Sequence, residues 1–350
     1  MKTEIIALDV NNIDMKKLGY CAEVIKSGGL VAFPTETVYG LGANALDGNA
    51  VSGIFEAKGR PGDNPLIVHV ACKESVNGLV NHIPYKASLM MDKLWPGPLT
   101  IIMEKSGIVP DSVTAGLDTV GVRMPAHPVA LALIREAGVP IAAPSANTSG
   151  LPSPTIARHV MEDLQGKVPV IIDAGSAQVG LESTVVDMTS VPPVILRPGG
   201  ITPLQLESLL GAMSIDPSVV DGVKKDSVPK APGMKYTHYS PKAKVIVVEG
   251  EIQHIVFNIK KLAGEYKSRG IKTGILATRQ TIAMYPFENV ISMGDRENPE
   301  TIAARLFQVL RELDSMGVQV IISEAIDNTG IGLAVMNRMN KAAGYNIIRV

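Results

Sequence analysis

Two cations stand one residue apart in a turn that begins the loop Lys58-Gly59-Arg60-Pro61-Gly62-Asp63-Asn64-Pro65. Proline and glycine stiffen such a turn, and lysine and arginine side chains are suited to binding phosphate oxygens. The turn therefore indicates a clamp for a phosphate group. A structural explanation stays open, because basic residues at the end of a helix also complement its C-terminal dipole.

Further polar loops follow apolar strands along the chain. Hydroxyl and amide side chains separated by glycine and proline allow backbone N–H groups to approach a ligand closely. The loops are PTETVYG at 34–40, TVGVRMP at 119–125, APSANTSG at 143–150, GLEST at 180–184 and LRPG at 196–199. Ordinary structural roles stay open for some of their residues, since Ser145 and Asn147 could stabilise turns and Arg197 could lie at the surface. His69, within an apolar strand, could likewise be a half-buried histidine without a ligand.

The loops carry four basic residues against three acidic ones: Lys58, Arg60, Arg123 and Arg197 against Glu36, Asp63 and Glu182. A nearly neutral chain can therefore still form a cationic pocket for a polyphosphate, provided that the acids turn away or hold Mg²⁺. The sequence offers no obvious covalent nucleophile. Catalysis by positioning and charge stabilisation, as in phosphoryl and nucleotidyl transfer, is the chemistry that this pattern indicates.

Composition narrows the class of protein. The 350 residues have a net charge of −1 and are 4% aromatic, which excludes a bulk polycation and argues against recognition dominated by base stacking. Two cysteines, Cys21 and Cys72, cannot form a disulfide framework or a zinc site. The first residues do not resemble a signal peptide, and no apolar run is long enough to span a bilayer. We therefore expect a cytoplasmic protein with no membrane contact.

Strand and helix patterns alternate along the chain, which predicts an α/β fold. Residues 1–212 predict a twisted open sheet with helices, including helices over Lys86–Leu94, Pro128–Ala137, Ile156–Leu164 and Pro203–Leu210. Residues 213–242 lack an apolar period and predict a linker. Residues 243–350 predict a small parallel Rossmann-like α/β domain. The string GLGANA at 40–45 fits a dinucleotide-binding pattern formally, but no helix is expected to begin there.

Seven motifs, in this order, closely resemble the YrdC family over about residues 15–210. They are PTETVYGLG, KGRPGDNPLIVH, WPGPLT, VGVRMPAHP, APSANTSGLPSPT, DAGSAQVGLESTVVD and ILRPGGI. The later string APGMKYTHYSPKAKV, followed by a small α/β unit, resembles the longer two-domain members of that family, the threonylcarbamoyl-AMP synthases. The resemblance implies a YrdC-like fold for the N-terminal domain and a linker that folds over the active site.

The resemblance also implies a reaction. L-threonine, bicarbonate and ATP with Mg²⁺ would give L-threonylcarbamoyladenylate and pyrophosphate, the first step in forming N6-threonylcarbamoyladenosine at position 37 of tRNA. Its partners would be these small molecules and a downstream threonylcarbamoyl-transferase machinery, with a weak tRNA or double-stranded RNA contact in addition.

The family's functional positions fall on matching residues of this sequence. The residues implied to surround threonine or its carbamate are Thr35, His69, Arg123, Ser145 and Ser183. The residues implied to contact ATP are Lys58, Arg60, Gly62, Thr119, Asn147, Thr155, Arg197 and Tyr239, with His238 beside the last. Lys58 and Arg60 are the implied catalytic pair, because they would offset charge on the phosphates. Gly62 stands where some relatives carry a side chain.

Three other functions compete with this one. A carbamoyl-adenylate-forming hydrogenase maturation factor would need a cysteine-rich zinc module that two isolated cysteines cannot supply. A non-catalytic double-stranded RNA or ribosome-binding factor would use the basic concavity alone. A hydrolase would use Ser145 and Lys58 and would be acylated by a serine-directed inhibitor.

Overall fold

The structure is a computed structural model that describes residues 1–221 and 239–350. These residues form two compact units. The first contains Met1–Ser149 and the described residues from Ser153 to 221, and the second contains Gly150–Pro152 and residues 239–350. The linker predicted over 213–242 therefore overlaps both units, and its residues 222–238, which include His238, lie outside the described residues.

The first unit is built on an eleven-stranded mixed sheet with the order β1-β8-β2-β3-β7-β4-β6-β5-β9-β10-β11. Its strands are β1 Glu4–Ala7, β2 Val31–Phe33, β3 Gly40–Asn44, β4 Ile67–His69, β5 Leu99–Glu104, β6 Thr119–Arg123, β7 Ile141–Ala143, β8 Val170–Asp173, β9 Thr184–Asp187, β10 Val194–Arg197 and β11 Ser214–Ile215. Its helices are α1 Met15–Lys26, α2 Gly48–Lys58, α3 Val76–Leu79, α4 Tyr85–Leu94, α5 Asp111–Thr114, α6 Pro128–Ala137, α7 Ala157–Leu164, α8 Pro203–Leu210 and α9 Ser218–Asp221. The predicted α/β class with a large N-terminal sheet is confirmed.

The string GLGANA forms a strand rather than a phosphate-binding loop. Residues Gly40–Asn44 are β3, and α2 begins only at Gly48. A Cβ atom on Gly42 would lie 2.7 Å from the Ile141 side chain and 2.8 Å from the Phe33 ring. Gly42 is therefore needed for the close packing of neighbouring strands. Because the string lies within β3 and no helix begins directly after it, it does not form a dinucleotide-binding loop.

The two faces of the first sheet are covered differently. One face carries the larger apolar core, which includes Val68, Ile101 and Val122. On the other face, α1 and α6 pack over strands at the β1 end of the sheet. Side chains alternate along a strand, so the residues next to the three core residues point to this second face. They are His69, Thr100 and Arg123.

The second unit is a five-stranded sheet in which every pairing is parallel, in the order β14-β13-β15-β12-β16. Its strands are β12 Lys244–Glu249, β13 Thr273–Thr278, β14 Val290–Gly294, β15 Val320–Glu324 and β16 Ile347–Arg349, and its helices are α10 Ile252–Ser268, α11 Pro299–Ser315 and α12 Gly332–Ala342. The parallel α/β layout is as predicted. The order differs from that of a Rossmann fold, because β15 lies between the first two strands of the unit.

The first residues of the predicted linker form regular secondary structure, which the sequence pattern does not predict. Ser214–Ile215 pairs in parallel with β10, and α9 follows at Ser218–Asp221. A two-residue strand and one helical turn are too short to produce an apolar period, so the sequence pattern missed both. Within residues 1–221 and 239–350, no helix combines the length and apolarity needed to cross a membrane.

Candidate active site

The loop between β2 and β3 is shaped by the Thr35 hydroxyl. This oxygen accepts the backbone N–H groups of Thr37 and Val38, each at 3.2 Å, and lies 2.6 Å from the Val38 carbonyl oxygen. It is also 2.8 Å from the Thr37 hydroxyl. Thr35, implied to contact threonine, is therefore a buried residue that fixes the turn leading to β3.

Arg123 ends β6 and is held at three points. Its Nε donates to the Gly97 carbonyl oxygen at 3.2 Å, and its Nη1 donates to the Thr37 hydroxyl at 2.8 Å. Its Nη2 lies 2.7 Å from Glu36 Oε1, in an ion pair whose side chains are 4% and 8% exposed. The guanidinium is therefore a rigid, buried cation beside the Thr35 turn.

His69 ends β4 and pairs in register with Arg123 on the neighbouring strand. Its ring packs edge-on against Phe33, with centroids 6.0 Å apart. Burial and, to a smaller extent, the positive charge of Arg123 lower the pKa of His69 to about 3. The imidazole is therefore neutral near pH 7, so it offers a hydrogen bond without adding charge.

We expect His69 to make the stability of the protein depend on pH. Its pKa is about 3 when folded and near 6.5 when unfolded, so the unfolded state binds more protons between these values. The free energy of unfolding should therefore fall as the pH drops below 6.5, by at most ~1.4 kcal/mol per pH unit for this one group. Urea denaturation at several pH values between 4 and 7 should show that the free energy of unfolding falls less steeply with decreasing pH in His69→Gln than in the wild type. The same dependence on pH in both proteins would contradict a lowered pKa of His69.

Lys58 ties the end of α2 to the loop after β7. Its buried ammonium donates to the Ser145 carbonyl oxygen and, at 2.6 Å, to the Asn147 carbonyl oxygen. The Ser145 hydroxyl donates to Asn147 Oδ1 at 2.5 Å. Three of the predicted residues thus lie together. These two hydrogen bonds go to the loop after β7 and not to carbonyl oxygens of α2 itself. They therefore argue against the alternative that Lys58 only complements the dipole of its own helix.

Arg60 shapes the turn after α2. Its Nη2 donates to the Asn64 carbonyl oxygen at 3.1 Å, and its guanidinium lies 5.9 Å from the centre of the Phe55 ring. Gly62 is exposed on the same turn. The turn therefore carries Arg60 on a fixed backbone near the surface, whereas Lys58 is buried.

Arg197 and Ser183 form a third buried polar group. Arg197 Nε donates to the Ser183 carbonyl oxygen at 3.0 Å, and its Nη2 donates to the Ser183 hydroxyl at 3.1 Å. The Thr100 hydroxyl is 2.7 Å from that same hydroxyl. The ends of β10 and β5 are thereby connected to the segment before β9.

Other predicted residues are not part of these groups. Thr119 begins β6, at the opposite end of that strand from Arg123, and lines a surface depression of about 380 Å³. Thr155 is buried before α7, with its backbone N–H 3.5 Å from His159 Nδ1. In the second unit, the Tyr239 ring is 4% exposed and stacks on Phe307 with centroids 5.2 Å apart.

The sequence pattern does not identify the partners of the predicted residues. By sequence, Glu36 is only one acid among the loops, and Thr37, Gly97 and Thr100 have no predicted role. The available signal was that these residues fall inside the PTETVYGLG and WPGPLT motifs. In the part of the chain that the structure describes, no cluster of three or more histidine, cysteine or acidic side chains could hold a metal ion.

Comparison with known proteins identifies the family of this chain. The Sua5/YciO/YrdC family model, described as telomere recombination, matches residues 23–199, and the model for the C-terminal domain of threonylcarbamoyl-AMP synthase matches residues 201–344. A threonylcarbamoyl-AMP synthase of Pyrococcus abyssi is 51% identical, with 97% of each chain covered. One from Bacillus subtilis is 47% identical over the full length of both chains.

A solved structure is similar as well. The crystal structure of the P. abyssi Sua5 protein complexed with L-threonine is 50% identical and has a TM-score of 0.95, with 99% of this chain and 100% of that chain covered. Both domains, their order and nearly the whole length are therefore shared. The chain belongs to the Sua5/YciO/YrdC family, in the two-domain form that carries the C-terminal domain of threonylcarbamoyl-AMP synthases.

Proposed function

We propose that this chain is an L-threonylcarbamoyladenylate synthase, a nucleotidyltransferase. L-threonine and bicarbonate give threonylcarbamate and water with loss of one proton, and a carbamate oxygen then attacks the α-phosphorus of ATP as pyrophosphate leaves. The observation that carries the proposal is the similarity, over nearly the whole chain, to relatives named for this activity. The buried cations on the loops of the first unit support it.

The threonine subsite that we propose is the group around Arg123. A rigid guanidinium is suited to a carboxylate, and its burial strengthens the attraction because water does not compete. His69 supplies a neutral polar contact there. Thr35 fixes the turn beside Arg123, whereas Ser145 and Ser183 lie in the groups around Lys58 and Arg197. All three stay predicted members of the subsite.

Lys58 and Arg60 are the proposed catalytic residues, because cations near the phosphates stabilise the charge that develops as pyrophosphate leaves. Mg²⁺ belongs to the substrate MgATP, since this ion is held mostly by nucleotide phosphates with one or two carboxylates. The other ATP contacts stay predictions. They are Gly62, Thr119, Asn147, Thr155, Arg197 and Tyr239.

A direct product assay tests the proposal. Purified protein with MgATP, L-threonine and labelled bicarbonate should yield labelled threonylcarbamoyladenylate by mass spectrometry, together with pyrophosphate in equal amount. Binding of double-stranded RNA without any threonine-dependent release of pyrophosphate would instead support the non-catalytic factor. That alternative is not favoured, because the full-length relatives are named as enzymes.

The linker is proposed to contribute to ATP binding. A chain that ends before Ser227 is therefore expected to have a higher KM for ATP or a lower kcat than the full chain. Steady-state pyrophosphate release from both proteins measures the difference, and circular dichroism checks that the shortened chain is folded. Unchanged kinetics would mean that the linker only connects the two domains.

The proposed activity also defines the partners. A mixed anhydride such as threonylcarbamoyladenylate hydrolyses readily in water, so a threonylcarbamoyl-transferase that acts on tRNA must consume it soon after release. A weak contact with tRNA or double-stranded RNA would assist that transfer. Both are proposals, as is the location in the cytoplasm, where ATP and tRNA are present.

A further inference from the structure

Glu36 is a buried carboxylate for which the proposed reaction has so far no use. Its side chain is 8% exposed, and its Oε1 lies 2.7 Å from Arg123 Nη2. Neither of its oxygens accepts a geometrically aligned hydrogen bond from any residue that the structure describes. The Glu36 charge is therefore balanced by Arg123, but its lone pairs are available to another donor.

Two histidine nitrogens near the Glu36–Arg123 pair also lack a hydrogen-bond partner within the described part of the chain. His69 Nδ1 and His127 Nδ1 are buried and have no hydrogen-bond partner among the described residues. His69 is next to Arg123 across the strands, and the charge of Glu36 acts on His127, whose pKa is lowered mainly by burial. An unpartnered buried polar atom costs about 1–3 kcal/mol, so several at one place indicate a polar ligand or water there.

The charges at this place select the class of ligand. A ligand with a carboxylate alone would bind Arg123 and bring its negative charge towards Glu36. A cation alone would bind Glu36 and be repelled by Arg123. A zwitterion whose ammonium and carboxylate groups are attached to the same carbon atom can satisfy the two side chains together. An α-amino acid in its zwitterionic form is therefore the ligand that the Glu36–Arg123 pair fits.

We infer that Glu36 binds the α-ammonium group of the amino-acid substrate while Arg123 binds its carboxylate. This inference rests on the proposed function for the identity of the amino acid, L-threonine, and adds the residue that recognises its amine. Glu36 thereby makes the site selective for a substrate that carries an amine, the group that must react with bicarbonate.

The experiment compares two ligands by titration calorimetry without ATP. One is L-threonine, and the other is 2,3-dihydroxybutanoate of the same stereochemistry, in which a hydroxyl replaces the ammonium group. We expect Glu36→Gln to weaken L-threonine binding by about 10- to 100-fold, the loss typical of one hydrogen bond to a charged group. The affinity for 2,3-dihydroxybutanoate should not fall, because this ligand has no ammonium group that Glu36 could bind.

Two further variants separate ligand binding from support of Arg123. Thr37→Val removes the hydroxyl that accepts from Arg123 Nη1 but keeps the Glu36 charge, so it should weaken both ligands alike. Glu36→Asp keeps the charge and should restore part of the preference for L-threonine, even if Glu36→Gln folds poorly in thermal melts. An equal loss of both ligands in Glu36→Gln, or no preference in the wild type, would overturn the inference.

Failure of this inference is distinguishable from failure of the proposed function. The product assay is run on the same preparations. A wild type that forms the adenylate, with a Glu36→Gln variant that binds L-threonine normally, overturns only the role of Glu36. A wild type that binds L-threonine through Glu36 but forms no adenylate supports the role of Glu36 and rejects the proposed reaction.

Discussion

Replacing Lys58 with alanine should lower turnover by about 10²–10³-fold, equivalent to about 2.7–4 kcal/mol of transition-state stabilisation. The Lys58 ammonium is buried at the end of α2 and is fixed by the carbonyl oxygens of Ser145 and Asn147. A fixed cation needs little reorganisation when charge develops on a phosphate, so its removal affects the transition state most. Arg60→Ala is expected to lower turnover by a factor in the same range. Threonine-dependent pyrophosphate release measures both.

Lys272 offers a matched control for this substitution. Its ammonium also donates to a backbone carbonyl oxygen, that of Met316 at 2.6 Å, but it lies exposed in the second unit. Lys272→Ala should keep the wild-type turnover. Near-normal pyrophosphate release by both Lys58→Ala and Arg60→Ala would reject their assignment to the phosphates.

Replacing Arg123 with methionine should damage both stability and activity. The substitution leaves Glu36 as a buried charge without its counter-ion, and breaking a buried ion pair from one side costs about 3–5 kcal/mol. It also removes the proposed partner of the substrate carboxylate. We expect a large drop in the urea midpoint and no measurable threonine-dependent pyrophosphate release.

The double variant Arg123→Met with Glu36→Gln separates these two effects. Removing both charges should recover most of the lost free energy of unfolding, since no unpaired buried charge remains. Activity should not return, because the groups proposed to bind the substrate are both absent. A double variant that regains activity along with stability would show that Arg123 acts only by holding the fold.

Helix boundaries were predictable where the terminal residues are local signals. Helices α6 and α8 have the bounds expected from the sequence, Pro128–Ala137 and Pro203–Leu210. Each begins with a proline at its first position and is followed by a glycine, Gly138 or Gly211. Such signals act within a few residues and do not depend on the rest of the chain.

The order of the strands was not predictable in the same way. The second unit was expected to be Rossmann-like, and its strands are indeed parallel, but β15 lies between β13 and β12. Apolar runs show which segments become buried strands without showing which two will be neighbours. Pairing depends on how helices pack on both faces, which a sequence pattern does not contain.

The sequence by itself determined the residue types of the site, the α/β class and the motifs that mark the family. The tertiary structure alone decided their partners. Lys58 meets Ser145 across 87 residues and Arg123 meets Thr37 across 86, and Glu36, a mere loop acid by sequence, becomes the buried counter-ion of Arg123. The physical reason is that burial and electrostatic pairing depend on distances in space, which spacing along the chain does not fix.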